Sequence, residues 1–460
     1  MRKTLYYFIP LVATICLLIG CRGGGNKPGN DTKSPIDTPK VSLPENTVKP
    51  VINVYIENSG SMDGYLKGNT EFKAAIGNLL AKLPYYYDEK DISLRFINSK
   101  IDSISTTKAD LSSFVKEIDM YWAEGLKIRS STTNLNNIFK DILSQTDSKT
   151  ISILFSDCIY SISKGGVEEL LNYEKSLTMN RFLMKSKQEK VDLATIILKM
   201  KSKFDGKYFP YTGDNDWFKI NMERPYYICV IGNQDILNDF NQKIDMKVEK
   251  IGYDNRYVLS SEDPKGIYYS VLQSTYNKGR FKPLRKESGK DYIHGIENVK
   301  LARSGENLTF AIAVDFSSLQ VENDYICNLA NYTVTTDNFE VAGVSPIILK
   351  EIMTNDLKTI ESGKPTHVIV LKAKTKAISD VSFALKKQIP QWVYDSDTYD
   401  DTHPEKGDDE KENKKTWNTE PANLKDKTFG LRYWVEGISE AYETIYPDNK
   451  NYFECSITIK

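Results

Sequence analysis

Short apolar runs alternate with amphipathic patterns over the first half of the folded chain. Nearly continuous apolar runs, typical of strands covered on both faces, occupy residues 51–56, 92–97, 150–157, 191–198 and 226–232. Apolar residues at helical spacing occupy residues 70–83, 109–121, 135–143 and 233–244. This alternation predicts an α/β domain with a mostly parallel, Rossmann-like sheet and helices on both faces.

Three segments add to this simple alternation. Residues 100–105 read as a strand directly after 92–97, which predicts a hairpin within the otherwise parallel sheet. A charged, helical insertion at 165–190 and the segment 200–224 exceed what such a sheet needs. We expect both of these to decorate the upper rim of the sheet.

From about residue 250 onward the helical periodicity fades and strands dominate. Residues 307–316 and 453–460 alternate between apolar and polar side chains. Further strands are predicted at 366–374, 381–387 and 429–435, and a helix near 435–444 is expected before the last strand. Strands separated by Gly, Pro and Asn predict a β-rich domain, an immunoglobulin-like sandwich being the candidate.

The first twenty residues have the features of a signal peptide. Arg2 and Lys3 precede an apolar stretch from Tyr6 to Ile19. The stretch ends in Leu-Ile-Gly-Cys, which resembles a bacterial lipobox with Cys21 as the acylated (palmitate-bearing) residue. An ordinary secretory signal or a short transmembrane helix is the alternative, but the stretch is short for a span. We expect a lipoprotein with a membrane anchor at Cys21.

A flexible tether follows the cysteine over residues 21–49. This segment is rich in Gly, Pro, Ser, Thr and Asn and lacks periodic apolar residues. It resembles the tethers of Bacteroidetes lipoproteins, in which acidic residues after the cysteine favour display on the cell surface. Here Arg22 and Lys27 stand in that region. We therefore expect the protein in the bacterial cell envelope, on the outer membrane facing the periplasm, with surface exposure as the alternative.

A chain of 460 residues is too long for one ordinary core. The predicted organisation is a signal peptide at 1–20, a tether at 21–49, an α/β domain at 50–248 and a β-rich domain at 249–460. The β-rich domain contains a long charged stretch at 395–426.

The charged stretch has two interpretations. Its aspartates could gather around Ca²⁺, whose ligands are clustered oxygens, but the stretch lacks the glycine and terminal glutamate of a known calcium loop. The four aspartates are Asp395, Asp397, Asp400 and Asp401. We expect a solvated loop on the basis of charge density, with a contact surface for a partner as the alternative.

Composition narrows the classes of function. The chain carries 61 basic and 62 acidic residues without a basic stripe, which argues against nucleic acid as a partner. The cysteines after Cys21 form no CxxC or Cys/His cluster, which argues against zinc, and a Cys327–Cys455 disulfide or unpaired thiols are both open. The other two cysteines after Cys21 are Cys158 and Cys229. No Ser or Cys motif accompanies the three histidines, so we predict no catalytic residues and no enzyme activity.

Three loops carry the candidate chemistry. The sequence ENSGS follows the first predicted strand and contains Glu57, Ser59 and Ser61. The sequence RSSTTNL precedes the helix at 135–143 and contains Thr133. Asp157 ends the strand predicted at 150–157.

Together these loops resemble the metal-ion-dependent adhesion site of von Willebrand factor A (vWA) domains, where three loops hold one divalent ion. The resemblance implies Mg²⁺, or Mn²⁺ or Ca²⁺, held by the five residues just named. The family's first loop reads D-x-S-x-S, but here the leading carboxylate is Glu57. Thr132 is the fallback for Thr133, and the family's Asp-Gly is Asp157-Cys158 here.

Glu57 carries one methylene more than the family's aspartate, which is of order 1.5 Å of extra reach. Metal–ligand distances tolerate only about 0.2 Å, so a shifted backbone or a bridging water has to absorb the difference. Asp63 is a nearby carboxylate that we expect to help the turn or cap the next helix. Thr133 could simply cap its helix, and Asp157 could cap a helix or face solvent.

The resemblance implies an adhesive role, in which an acidic side chain of a protein partner completes the metal's shell. We therefore expect a lipid-anchored envelope protein that binds an unidentified protein partner. A metal-free structural scaffold in an envelope complex is the first alternative. An enzyme or glycan-handling accessory protein, with its site in 200–224 or 395–426, is the second.

Overall fold

The computed structural model describes residues 49–98, 101–103, 134–162, 165–212, 217–244, 251–261, 265–302, 305–402 and 421–460. The predicted signal peptide, the lipidation residue Cys21, the predicted tether up to residue 48 and the helix expected at 109–121 lie outside these ranges. Within the described ranges, none of the helices has both the length and the apolar content that crossing a membrane requires.

The first sheet has seven strands in the order β3-β2-β1-β4-β6-β5-β7. They are β1 (Val51–Glu57), β2 (Ile92–Ile97), β3 (Ile101–Ser103), β4 (Thr150–Ser156), β5 (Leu193–Tyr208), β6 (Phe218–Asn233) and β7 (Tyr253–Leu259). Each strand expected before residue 248 is present, and β2 and β3 form the predicted antiparallel hairpin.

The first sheet is mixed, whereas the sequence predicted a mostly parallel one. Strand β1 pairs in parallel with β2 and β4, but β6 runs antiparallel to both β4 and β5, and β7 is antiparallel to β5. Strands β5 and β6 follow each other in the chain and pair along 16 residues each. A hairpin connection forces antiparallel neighbours, since parallel strands need a long crossover.

The first sheet includes two segments that were not expected to belong to it. Strand β7 lies beyond residue 248, the predicted end of the α/β domain, and completes the first sheet. Residues 48–460 cluster into one compact unit. The segment 200–224 supplies the lengthened ends of β5 and β6.

The α-helices of the described residues are α1 (Asp63–Leu66), α2 (Glu71–Tyr86), α3 (Leu135–Gln145), α4 (Val167–Glu189), α5 (Gln234–Lys243), α6 (Asn323–Cys327), α7 (Leu357–Gly363), α8 (Gln391–Asp395) and α9 (Leu431–Ile445). Helices α2 and α3 each begin directly after an N-cap residue, Thr70 and Asn134 respectively. The Thr70 hydroxyl accepts from the Lys73 N–H at 3.3 Å, and the Asn134 side chain accepts from the Asn137 N–H at 3.0 Å. Such caps satisfy N–H groups that have no partner within the helix.

Helices cover both faces of the first sheet, as the sequence predicted. Helices α1, α2 and α5 pack on one face, and α3, α4 and α9 pack on the other. Along β1, Ile52, Val54 and Ile56 point to the first of these cores, while Tyr55 points to the second. The expected insertion at 165–190 is therefore helix α4, which covers a face rather than the rim.

A second prediction was wrong: residues 429–435 were expected to form a strand, but most of them form the start of helix α9. Only Thr428–Phe429 is extended, and the helix begins at Leu431 after Gly430, which has a φ of 73°. Leu431, Trp434 and Ile438 recur at helical spacing and are fully buried. The strand propensity of the aromatic and β-branched residues is overridden by packing against the first sheet.

The β-rich region consists of two larger sheets that share one core. Its strands are β8 (Tyr269–Leu272), β9 (Arg280–Pro283), β10 (Gly295–Lys300), β11 (Thr309–Val314), β12 (Tyr332–Val334), β13 (Phe339–Pro346), β14 (His367–Ala373), β15 (Val381–Lys386), β16 (Asp397–Thr398), β17 (Thr428–Phe429) and β18 (Asn451–Ile459). One sheet has the order β12-β15-β18-β10-β9 and the other β13-β14-β11-β8. Phe310 and Ile369 of the four-stranded sheet pack with Phe383 and Phe453 of the five-stranded sheet. The strands predicted at 307–316, 366–374, 381–387 and 453–460 are confirmed.

Trp434 of α9 should be a major source of stability for the first sheet. Its ring is fully buried and stacks on Phe139 of α3 with centroids 5.5 Å apart. We expect Trp434→Ala to lower the free energy of unfolding by about 3–5 kcal/mol, the usual cost of such a cavity. Urea denaturation measures the change.

Tyr173→Ala is the matched control, since this aromatic side chain on α4 is 61% exposed. Its effect should stay within about 0.5 kcal/mol. Equal effects of the two substitutions would mean that α9 contributes little to the core of the first sheet.

Candidate metal-binding site

The candidate site lies at the carboxyl ends of the neighbouring parallel strands β1 and β4. Glu57 is the last residue of β1, and Asp157 directly follows Ser156, the last residue of β4. The register pairs Ile56 with Phe155, so Glu57 and Ser156 lie side by side. The strand order reverses between β1 and β4, and ligands of open α/β sheets bind at such a switch point.

A tight turn after β1 brings two serine hydroxyls together. Ser59 precedes a single 3₁₀ turn, Gly60–Met62, whose Met62 N–H donates to the Ser59 carbonyl at 3.2 Å. Ser59 Oγ and Ser61 Oγ are 2.9 Å apart, within hydrogen-bond distance. The turn therefore presents both hydroxyls on the same side.

The two serines act on the two carboxyl groups. The Ser59 side chain lowers the pKa of Glu57, and the Ser61 side chain lowers the pKa of Asp157, each against the effect of burial. Ser156 Oγ also donates to Glu57 Oε2, and the Ile159 N–H donates to Asp157 Oδ1 at 3.3 Å. Four of the five residues predicted as metal ligands thus form one connected set.

The fifth predicted ligand, Thr133, and its fallback Thr132 lie outside the described residues. The helix that follows them is capped by the Asn134 side chain, so the alternative role of Thr133 as the cap is taken by its neighbour. Asp63 is exposed and starts helix α1, which agrees with its predicted role at the turn.

Burial changes the acidity of both carboxyl groups. Glu57 is 4% exposed and Asp157 is 2% exposed. Burial, followed by the charge of Asp157, raises the pKa of Glu57 from 4.5 to about 8, against the hydrogen bonds from Ser156 and Ser59. Burial also raises the pKa of Asp157. Without a cation, Glu57 is therefore protonated at neutral pH.

A buried arginine lies close enough to act on this pair. Arg224 is 1% exposed, and its positive charge opposes the rise in the pKa of Asp157. Its Nη1 donates to the Leu424 carbonyl at 2.6 Å, and its guanidinium carbon lies 4.8 Å from the centre of the Tyr208 ring. The charge of Arg224 therefore favours the ionised form of Asp157.

The β5–β6 hairpin covers the first loop from above. A Cβ built on Gly60 would lie 3.2 Å from the Phe209 ring, just past the end of β5. A Cβ built on Gly206 would come within 2.7 Å of the Gly64 Cα, so the two glycines allow β5 and α1 to touch. The hairpin therefore lies against the loop after β1, where Glu57 and Ser59 are buried and Ser61 is partly exposed.

The donor set suits a hard divalent cation. Two carboxylates and two hydroxyls offer the oxygen ligands that Mg²⁺ prefers, and adjacent ligands of an octahedron with bonds of about 2.0–2.1 Å are about 2.9 Å apart. Ser59 Oγ and Ser61 Oγ have this separation. Within the described part of the chain, this site included, no three His, Cys, Asp or Glu side chains gather into a cluster.

The residue after Asp157 is Cys158, where the vWA pattern has glycine. Cys158 has a φ of 53°, the left-handed region that favours glycine. Its side chain is buried against the second core of the first sheet. Cys158, Cys229, Cys327 and Cys455 are all unpaired, so the disulfide alternative for the last two is not the one observed.

The described ends of the charged stretch, residues 395–402 and 421–426, contact the folded body, and the solvated loop stays a prediction for the residues between them. Asp401 is fully buried and accepts from the Tyr208 hydroxyl at 2.8 Å and from the Tyr211 N–H at 3.0 Å. Asp426 forms an ion pair with buried Lys199 at 2.9 Å. Asp397 accepts from a backbone N–H of α9. These aspartates bind different partners instead of gathering around one calcium ion. Residues 403–420 lie outside the described ranges.

Sequence reasoning missed Ser156, Arg224 and Phe209. The signal for Arg224 and Phe209 was the period-two pattern on both sides of the hairpin turn. Buried residues alternate with more exposed ones along 218–223 and 202–208, as in a continued strand. We instead treated 200–224 as excess chain. Only the register of β1 against β4 identifies Ser156.

Glu57 should make the stability of the protein fall as the pH rises. Between pH 4.5 and about 8 the unfolded chain loses this proton while the folded protein keeps it, so the fall is at most about 1.4 kcal/mol per pH unit. Glu57→Gln cannot titrate and should lose less stability over that range. Urea denaturation at pH 5, 6, 7 and 8 with a chelator present measures the difference.

Glu89→Gln is the control, since Glu89 is an exposed glutamate of the same sheet region. It should follow the parent protein at every pH. If Glu57→Gln also follows the parent, proton binding at Glu57 is not a source of the pH dependence.

Comparison with known proteins adds no relative: no family model, no curated protein and no solved structure matches this chain.

Proposed function

We propose that this protein is a non-catalytic, lipid-anchored protein of the bacterial cell envelope that binds a protein partner. In this proposal residues 1–20 are the signal peptide and Cys21 carries the lipid. The α/β part is a vWA-like domain with a variant metal-ion-dependent adhesion site, and the β-rich part is an immunoglobulin-like spacer or second contact surface. The outer membrane, with the protein facing the periplasm, is the proposed location.

One observation carries the proposal. Glu57, Ser59, Ser61 and Asp157 come from two separate loops and form a connected set of oxygen ligands at the switch point of the sheet. In the proposal they hold Mg²⁺, or Mn²⁺ or Ca²⁺, with Thr133 as the remaining ligand. A divalent cation would let both carboxylates be charged, which their burial otherwise opposes.

The β5–β6 hairpin, which packs against the loop after β1, bears on how a partner would reach the cation. Phe209 lies against Gly60, so an acidic side chain of a partner completes the metal's shell only after the β5–β6 hairpin moves. The cation then has a first role in the protein itself, where it ties the loop after β1 to the end of β4. Partner binding through the cation is a second step.

A metal-free scaffold is the second candidate, and the charge balance favours it. With Glu57 protonated, the buried Asp157 and Arg224 compensate each other without any ion. The same buried residues would then stabilise a fixed surface that packs permanently against an envelope partner.

Metal titration separates the two candidates. We expect the 460-residue chain to bind Mg²⁺ or Mn²⁺ in calorimetry, and Ser61→Ala and Asp157→Asn to weaken binding at least about tenfold, because each removes an oxygen ligand. Asp63→Asn is the control, since this carboxylate is exposed on the same loop and should leave binding unchanged. No heat from the parent protein would support the metal-free scaffold.

The β5–β6 hairpin should control how fast the cation exchanges. We expect Phe209→Ala to release Mn²⁺ to a chelator several times faster than the parent, because the ring no longer lies over Gly60. Stopped-flow mixing with a fluorescent chelator measures the rate. Tyr399→Ala, which removes a ring that is 75% exposed, should leave the rate unchanged. Equal release from all three proteins would argue against the hairpin as a cover.

A further inference from the structure

Strand β7 presents an open edge at the end of the first sheet. One of its edges pairs with β5 from residue 253 to residue 259. Among the described residues, no strand pairs with its other edge. Such an edge carries N–H and C=O groups at alternate residues that can pair with another extended chain.

Two cavities lie along this open edge. A cavity of about 760 Å³ borders the consecutive residues 257–260, and a cavity of about 300 Å³ borders 255–258. Side chains of a strand alternate between its two faces, so consecutive residues border one cavity only where it runs along the strand's edge. Both cavities therefore open onto the unpaired edge of β7.

The two cavities adjoin each other along β7, and together they are called the groove. Both are lined by Tyr257, Val258 and Tyr452. Together they follow the six residues 255–260, which span about 20 Å in an extended strand. That is the length of a typical strand in a globular protein.

The opposite wall of the groove is the outward face of β12, β15 and β18. Thr333, Ser382, Ala384 and Ser456 line it, and all four side chains are small. Ser382 Oγ and Ser456 Oγ are 2.6 Å apart. Lys386 and Glu454 of the same strands also line the cavity, so small polar side chains stand beside longer charged ones on this wall.

The two ends of the groove carry opposite charge. The larger cavity, at the end of β7, is lined by three lysines and two glutamates: Lys386, Lys387, Lys450, Glu443 and Glu454. The smaller cavity, nearer the start of β7, is lined by three carboxylates and one arginine: Glu322, Asp324, Asp395 and Arg256. An occupant with an acidic end and a basic end would match this arrangement in only one direction.

We propose that this groove binds an extended peptide segment of a partner protein, which pairs with β7 as an eighth strand of the first sheet. Backbone pairing at a sheet edge supplies affinity, and the flanking walls supply specificity. The segment runs antiparallel to β7, the slightly more stable arrangement. Its acidic N-terminal end then lies at the lysines and its basic C-terminal end at the carboxylates.

This inference shares only the expectation of a protein partner with the proposed function. The groove lies along β7, at one end of the first sheet, whereas the candidate metal site lies between β1 and β4. A protein that binds no metal can still bind a peptide here. A failed metal titration therefore leaves the groove untouched, and a failed peptide titration leaves the metal site untouched.

A synthetic peptide tests the proposal directly. The probe is a fluorescein-labelled, end-capped octapeptide, EETVTVKK, titrated with the 460-residue chain and followed by fluorescence polarisation. We expect saturable binding, and binding at least about tenfold weaker for the reversed sequence KKVTVTEE. Absence of binding at millimolar protein, or equal binding of the two peptides, would overturn the proposal.

Backbone pairing has its own test. N-methylation of alternate amides removes the N–H groups on one edge of the peptide. We expect one of the two alternate sets to abolish binding and the other to leave it within about threefold. Equal effects of both sets would exclude an eighth strand.

Substitutions in the protein locate the binding. Thr333→Trp places a large ring into the groove at an exposed position and should weaken binding at least about tenfold. Thr375→Trp is the matched control at an exposed position that does not line either cavity, and it should bind as the parent does. Unchanged binding of the Thr333→Trp protein would place the peptide elsewhere. Tighter binding of a peptide with the sequence of residues 36–47 than of EETVTVKK would assign the groove to this chain's own tether and overturn the proposal.

Discussion

Two carboxyl groups buried side by side cannot both be charged without positive charge close to them. The parallel register of β1 and β4 imposes this constraint, because it places Glu57 and Asp157 at neighbouring strand ends. A proton on Glu57, the guanidinium of Arg224 and a divalent cation are three ways to meet it. Much of the surrounding structure follows from that requirement. Ser156 donates to Glu57, the side chains of Ser59 and Ser61 lower the pKa of Glu57 and Asp157, and Arg224 is fully buried.

The β5–β6 hairpin packs against the loop that carries the first of these carboxyl groups. The lengthened ends of these strands pack against the loop after β1, whose burial is the main cause of the raised pKa of Glu57. The hairpin packs Phe204 and Tyr208 over α1 and brings Arg224 into the same interior. The hairpin thus excludes water from the site and also supplies a compensating charge.

The sequence predicted local features far better than pairings between distant segments. Glu57, Ser59, Ser61 and Asp157 were identified because the loops at the ends of two strongly apolar strands resemble the metal-binding loops of vWA domains. The direction of β6 was not predicted, because an apolar strand has the same residue pattern in either orientation. Only the strand with which it pairs fixes whether it runs parallel or antiparallel. Helix α9 was misassigned at its start because Phe429, Tyr433 and Trp434 favour strands until a sheet face covers them. Arg224 was missed because its role depends on Asp157, a residue 67 positions away in the chain.

The order in which the chain leaves the ribosome gives helix α9 a further consequence. Helix α9 covers a face of the first sheet, and β18, which begins six residues after it, is the central strand of the five-stranded sheet. Neither core is complete until the last thirty residues, 431–460, have been synthesised. Domains usually fold as units, the N-terminal one first, during synthesis. Here helix α9 emerges long after β7, the last strand of the first sheet, so one face of that sheet stays partly uncovered until α9 has been made.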